Sequence, residues 1–109
     1  MRQAMIYYKD IAAGVLTETD DGFYEYQYLP AYIDAYPEQF ICFTMPVVAK
    51  PYKANRLFPF FDGLIPEGWL LDIAAKNWKI SPNDRMGLLL ACCANCIGAV
   101  SVKSYNQQA

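Results

Sequence analysis

The first thirty residues alternate, and the second half of the chain does not. QAMIYY over residues 3–8 and IAAGVLTE over 11–18 place β-branched and aromatic residues at strand spacing on either side of Lys9-Asp10, which reads as a turn. Asp20-Asp21-Gly22 is a second turn, because Asp and Gly tolerate positive φ, and it leads into a third strand from Phe23 to Leu29. In that strand Tyr24, Tyr26 and Tyr28 share one face and Phe23, Glu25 and Gln27 the other, so the tyrosine face is expected to turn inward. Pro30 and Pro37 bracket a polar connection holding Tyr32, Asp34 and Tyr36. An apolar strand from Phe40 to Met45 is expected next, before a connection bounded by Pro46 and Pro51.

From Asn55 the period changes. Leu57, Phe58, Phe61, Leu64 and Ile65 recur at helical spacing until Pro66 stops the helix. A second helix over about Glu67 to Lys79 aligns Leu70, Ile73, Ala74 and Trp78. A third is expected after Ser81, with Pro82 in its first turn, Asp84 supplying early negative charge, and Met86, Leu89, Leu90 and Cys93 facing the core. Ile97 to Lys103 returns as a strand. The fold class expected is α+β: a small antiparallel, barrel-like sheet of about five strands, with about three helices in the C-terminal half. One domain spans residues 1–104, and 105–109 is expected to be a frayed tail.

Composition narrows the function. The chain has 109 residues, too few for a two-lobed kinase, with 55% hydrophobic and 16% aromatic residues. That apolar share exceeds the roughly 45–50% of an average protein, so part of it is expected to face a partner. The net charge of −2 argues against holding nucleic acid by neutralising phosphates. Charge is unevenly spread: residues 1–40 hold seven acids against Arg2 and Lys9, whereas residues 41–109 hold four acids against seven bases. No apolar run reaches the ~18 residues of a membrane span and no signal-peptide layout opens the chain, so a cytoplasmic location is expected.

There is no histidine, which excludes Ser-His-Asp and Cys-His nucleophilic pairs and every histidine metal ligand. No two carboxylates are paired in an apolar setting. Asp20 and Asp21 adjoin, but in a solvated turn. Cys42, Cys92, Cys93 and Cys96 could together offer four thiolates to zinc, yet three of them crowd one helix end where a zinc site joins two separated knuckles. Small buried hydrophobes are the simpler reading, and a redox pair at Cys93 and Cys96 lacks a thioredoxin-like setting. The chain carries no phosphate-cradling glycine motif, no His-Arg-Asp loop and no Asp-Phe-Gly. No cofactor or metal is expected.

The stretch FPFFDGLIPEGWLLDIAAKNWKI, residues 58–80, and the ending Ile97-Gly98-Ala99-Val100-Ser101-Val102 carry a resemblance. With Gly14-Val15-Leu16, Gly22, Tyr26, Tyr28-Leu29, Phe43-Thr44-Met45-Pro46, Phe60-Phe61, Leu64-Ile65-Pro66-Glu67-Gly68 and Leu89-Leu90 in order, the chain resembles the first N-terminal subdomain of HipA-type toxin kinases. Ala94-Asn95 departs from the Gly-x-Asp usual there. In some operons the subdomain resembles a separate small protein, HipS, beside a shortened kinase, HipT, and a DNA-binding protein, HipB. The resemblance implies a non-enzymatic antitoxin that binds and restrains a HipT-like serine/threonine kinase toxin. It also implies a ternary complex with a HipB-like protein, through which any DNA contact would run. The alternative is a non-inhibitory subunit completing the kinase lobe.

Within the resemblance, Trp69 stands out: it follows the Pro66-Glu67-Gly68 break and fits the Leu70, Ile73, Trp78 stripe poorly. It either closes the core or anchors an interface, and exposed tryptophan on a rigid element is a typical hot spot. Glu67, Asp72 and Lys76 are candidates for a polar rim around it. Phe61 is expected in the core, and Phe60 to be shared with the partner, together with Ile65, Pro66 and Gly68.

Overall fold

The computed structural model describes residues 1–65, 72, 73, 76, 77, 79–81, 83–92 and 99–105. Strand β1, Arg2–Tyr8, turns at Lys9 and Asp10 into β2, Ile11–Glu18. Both turn residues have positive φ, 50° and 67°, which matches the right-handed twist of the two strands. β3, Tyr24–Tyr28, follows a turn in which Gly22 takes φ 87° and the Thr19 hydroxyl accepts from the Phe23 amide at 3.1 Å. Helix α1 is Pro30–Ala35, β4 is Tyr52–Ala54 and α2 is Pro59–Asp62. Helix α3, Arg85–Cys92, precedes the last strand, β5, Val100–Ser104.

The five strands form one sheet in the order β4-β3-β2-β1-β5, with every neighbour antiparallel. The α+β class and the five antiparallel strands are as expected. The barrel-like curl is not a closed one: the sheet is open, with β4 and β5 at its edges. In β1–β2 the register shifts between Ile6, opposite Gly14, and Tyr7, opposite Ala12. Ala13 is the extra residue, so it and Gly14 are both buried and the local twist rises.

One sheet face is apolar. Ala4, Ile6, Leu16, Tyr26, Tyr28, Val100 and Val102 are buried with Leu57, Phe61, Ile65, Met86, Leu88 and Leu89. Tyr26 and Tyr28 lie inward as the strand pattern required, their rings edge to face at 4.9 Å. Tyr26 also meets Phe61 at 5.6 Å, joining sheet to α2, and Tyr28 stacks on Tyr32 of α1 at 5.9 Å.

Three local expectations are corrected. The connection after Pro30 is helical: proline suits a first helical turn, and the Tyr36 amide closes the helix on the Tyr32 carbonyl at 2.8 Å. One helix therefore lies in the N-terminal half. Residues 40–45 form no strand but bends and a turn, and the strand that extends the sheet there is Tyr52–Ala54. Helix α3 begins at Arg85, three residues after Pro82, because Asp84 takes the cap position and accepts from the Gly87 amide at 3.1 Å. Its buried residues are Met86, Leu88 and Leu89, with Leu90 only partly covered. At the far end the Tyr105 amide still donates to the Gln3 carbonyl at 2.9 Å, carrying the ladder one residue into the expected tail.

Candidate interaction surface

The expected interface begins at α2. Pro59 opens this short helix, and its aromatic pair splits as the stripe demanded: Phe61 is fully buried, while Phe60 is half-buried and leans edge-on against it at 5.3 Å. Ile65 is 2% exposed and belongs to the core, so whatever it contributes to an interface is support from beneath. Pro66, Glu67, Gly68 and Trp69 lie outside the described residues. Beyond them the backbone is helical at Asp72, Ile73, Lys76 and Asn77, and all four are exposed. Ile73, on the stripe the sequence aligns with Leu70, Ala74 and Trp78, is 46% exposed beside Asp72. Among the described residues of this stretch Ile73 is an exposed apolar side chain beside the polar Asp72, Lys76 and Asn77.

Three ion pairs hold the frame around this region. Arg85 Nε donates to Asp62 Oδ1 at 2.7 Å, joining the start of α3 to the end of α2. Its neighbour Asp84 reaches the other way. Arg2 donates two hydrogen bonds to Asp84, at 2.7 and 3.0 Å, and two to Glu18, at 2.7 and 3.0 Å. The Tyr24 hydroxyl adds a bond to Glu18 Oε2 at 3.0 Å. The Arg2 guanidinium holds the Asp84 carboxyl below the usual carboxylate range. Burial, and then the bond to Glu18, push the Tyr24 phenol up to about 12. This is a structural clamp. Arg2, a permanent cation, is paired with both carboxylates and ties β1 to β2 and to the start of α3.

A recess of about 360 Å³ lies on the sheet's outer face, lined by Met1, Gln3, Val15, Thr17, Glu25 and Gln27. Among these lining residues Glu25 is the one carboxylate, and the Thr17 hydroxyl accepts from the Gln3 side-chain amide at 3.1 Å, so the recess shows no nucleophile paired with a base. Among the described residues no group of three or more Cys, Asp or Glu side chains could hold a metal ion, and no helix is long and apolar enough to cross a membrane. Cys42 is a half-covered free thiol. The side chains of Cys92, Cys93 and Cys96 lie outside the description, so the zinc and redox readings stay where the sequence left them.

Sequence reasoning missed Phe43. Expected within a strand, it is 87% exposed on the loop between α1 and β4. The available signal was the run of uncharged residues from Gln39 to Ala49, longer than one strand needs.

Comparison with known proteins agrees with this architecture. An uncharacterized protein of Haemophilus influenzae (strain ATCC 51907 / DSM 11121 / KW20 / Rd) is 33% identical over 94 residues, 86% of this chain and 84% of that protein. A solved structure described as the N-terminal domain of HipA toxin superposes with a TM-score of 0.74 at 25% identity, covering 99% of this chain and 96% of that one. The family described as HipA N-terminal domain matches residues 4–103, nearly the whole sequence, and the chain belongs to that family.

Proposed function

We propose that this chain is a non-enzymatic antitoxin, a HipS-like partner that binds a HipA-type, HipT-like serine/threonine kinase toxin and restrains it in the cytoplasm. One observation carries the reading: residues 4–103 match the family described as HipA N-terminal domain. Exposed Ile73 between Asp72 and Lys76 supports a docking face on the same segment as Trp69.

In this reading Trp69, with Pro66, Glu67 and Gly68, enters the kinase as the anchor. Phe60 shares the contact, and Ile65 backs it from the core. Restraint follows from differential binding: the docked chain favours a kinase conformation that engages ATP or substrate poorly. A HipB-like DNA-binding protein completes a ternary assembly.

The test is co-expression of the HipT-like kinase with the wild-type chain or with Trp69→Ala, scoring growth and kinase activity. Rescue by the wild type, with a Trp69→Ala chain that still binds but no longer rescues, supports both the antitoxin role and the anchor. The superposition on a toxin's N-terminal domain also favours a second reading, a subunit that completes a split kinase without inhibiting it. Kinase activity left unchanged or raised by the bound wild type would select that one.

A further inference from the structure

β5 is an edge strand, and its hydrogen bonds to β1 show which of its residues face the open side. The Lys9 amide donates to the Ala99 carbonyl at 2.7 Å and the Tyr105 amide to the Gln3 carbonyl at 2.9 Å, so in this antiparallel pair the odd-numbered residues bond to β1. Alternation turns the amides and carbonyls of Val100, Val102 and Ser104 the other way, and among the described residues none of these groups has a main-chain partner. Donors and acceptors therefore stand in a row at strand spacing, a surface whose natural complement is another extended main chain.

The two edges of the sheet differ. β4 has three residues, follows Pro51 and carries an exposed lysine, Lys53, at its middle, and each of these features discourages pairing. β5 has five residues and no proline. Its lysine is turned aside: Lys103 Nζ lies over the Tyr7 ring, 5.1 Å from the centroid, on the face opposite buried Val102 rather than along the edge. The residue type that guards one edge is thus withdrawn from the other.

We infer that β5 pairs with β5 of a second copy, antiparallel about a two-fold axis at Val102, joining the two five-stranded sheets into one. The side chains of the strand select this occupant. In that register Val102 faces Val102, Val100 faces Ser104 and Ser101 faces Lys103, and every outward-turned amide meets a carbonyl. The inner face continues the buried Val100 and Val102 with apolar or small residues, and on the outer face Lys103 lies directly opposite a hydroxyl rather than a second lysine. The same operation on β4 sets Lys53 against Lys53. Pairing β5 with β4 would meet Pro51 and Lys53 and leave an open end that grows into a filament, whereas the two-fold pairing closes. The inference is independent of the kinase partner proposed above, since the complement is the strand itself.

The experiment is sedimentation equilibrium of the purified full chain, with thermal melts to establish that each variant is folded. Ser104→Pro removes an outward amide and leaves the bonds to β1 in place. Ser101→Lys sets a like charge opposite Lys103 of the second copy, Ser101→Glu sets an opposite one there, and Ser101→Lys combined with Lys103→Glu restores the complement. The expected result is a wild-type dimer that Ser104→Pro and Ser101→Lys each weaken about tenfold or more, that Ser101→Glu tightens, and that the double variant recovers. Ser101 is a half-covered surface position, so its charge variants carry the test even where the proline variant does not fold. A wild type that stays monomeric up to about 0.5 mM overturns the inference. A dimer that ignores the sign of the charge at position 101, or that a folded Ser104→Pro leaves intact, is held by another surface or register, and that overturns it as well.

Discussion

The phenol of Tyr26 lies where a side chain on Gly14 would have to go. A Cβ built on Gly14 falls 2.6 Å from Tyr26 Cζ and 2.6 Å from the Gln27 carbonyl oxygen, far inside contact distance. Glycine in β2 is therefore a condition for the tyrosine core of β3. The arrangement has a cost, since the Tyr26 hydroxyl is buried with no hydrogen-bond partner among the described residues. Gly14→Ala is expected to destabilise the chain by about 1–3 kcal/mol through overpacking. Tyr26→Phe is expected to be neutral or to stabilise by up to ~1 kcal/mol, because it removes an unpaired buried hydroxyl. The double variant should recover part of the Gly14→Ala loss, with a coupling of about 0.5–3 kcal/mol in urea unfolding. Strict additivity would show that the two residues do not compete for space.

Alkali is expected to unfold the protein cooperatively. Burial raises the Tyr28 phenol to about 12 from an ordinary 10 and raises Tyr26 further still. A folded pKa above the unfolded one means that the protonated phenols stabilise the fold fully below pH ~10, and that this stability is lost as pH rises toward the folded value. Absorbance at 295 nm and near-UV circular dichroism followed together check the point. Tyr26 and Tyr28 should ionise as the ordered aromatic signal collapses; complete ionisation with that signal intact would contradict the burial.

At acid pH the sign reverses. Asp84 is held below its ordinary value by the Arg2 hydrogen bonds, so its contribution is present above about pH 4, the unfolded value, and fades as pH falls through the lowered one. Asp84→Asn keeps a residue suited to the cap of α3 but removes the charge facing Arg2. The variant is expected to melt below wild type at pH 7, with the difference narrowing as acid protonates Asp84. A difference that stays constant into acid would place the effect in the cap rather than in the ion pair.

The sheet was legible because each of its first three strands has one buried face. Alternation around Tyr24, Tyr26 and Tyr28 specifies both the strand and the side that turns in. The loop after α1 was not, because its order comes from phenol hydroxyls bonding to backbone carbonyls far along the chain, as Tyr52 does to Pro46, and no local period records such a bond. Phe40 to Met45 is apolar enough for a strand, and the pull of Ile41 and Met45 into the core made it a turn. In α2, Phe60 and Phe61 were separable by helical phase alone. Exposure of Ile73 was not, since a stripe of apolar positions looks the same whether the covering surface is in the chain or in a partner.

The Asp62–Arg85 pair predicts a separation of stability from function. It joins the residue just before the 63–84 segment to the residue just after it, and that segment carries Trp69, Asp72 and Lys76. Half-exposed pairs of this kind contribute roughly 0–1 kcal/mol to folding, so Arg85→Gln is expected to lower the melting temperature only slightly. Its larger effect should be on position: an anchor displaced by about 1 Å loses contact out of proportion to the energy of the bond that held it. On the proposed reading of a kinase partner, restraint by Arg85→Gln should therefore weaken several-fold while the fold survives, and Asp62→Asn should weaken it to a similar degree without adding to Arg85→Gln in the double variant. Melting curves beside a kinase inhibition titration decide the matter. Inhibition unchanged in both variants would mean that the segment is positioned by its apolar contacts to the core, with Ile65 and Phe61 as the holding residues and the ion pair incidental.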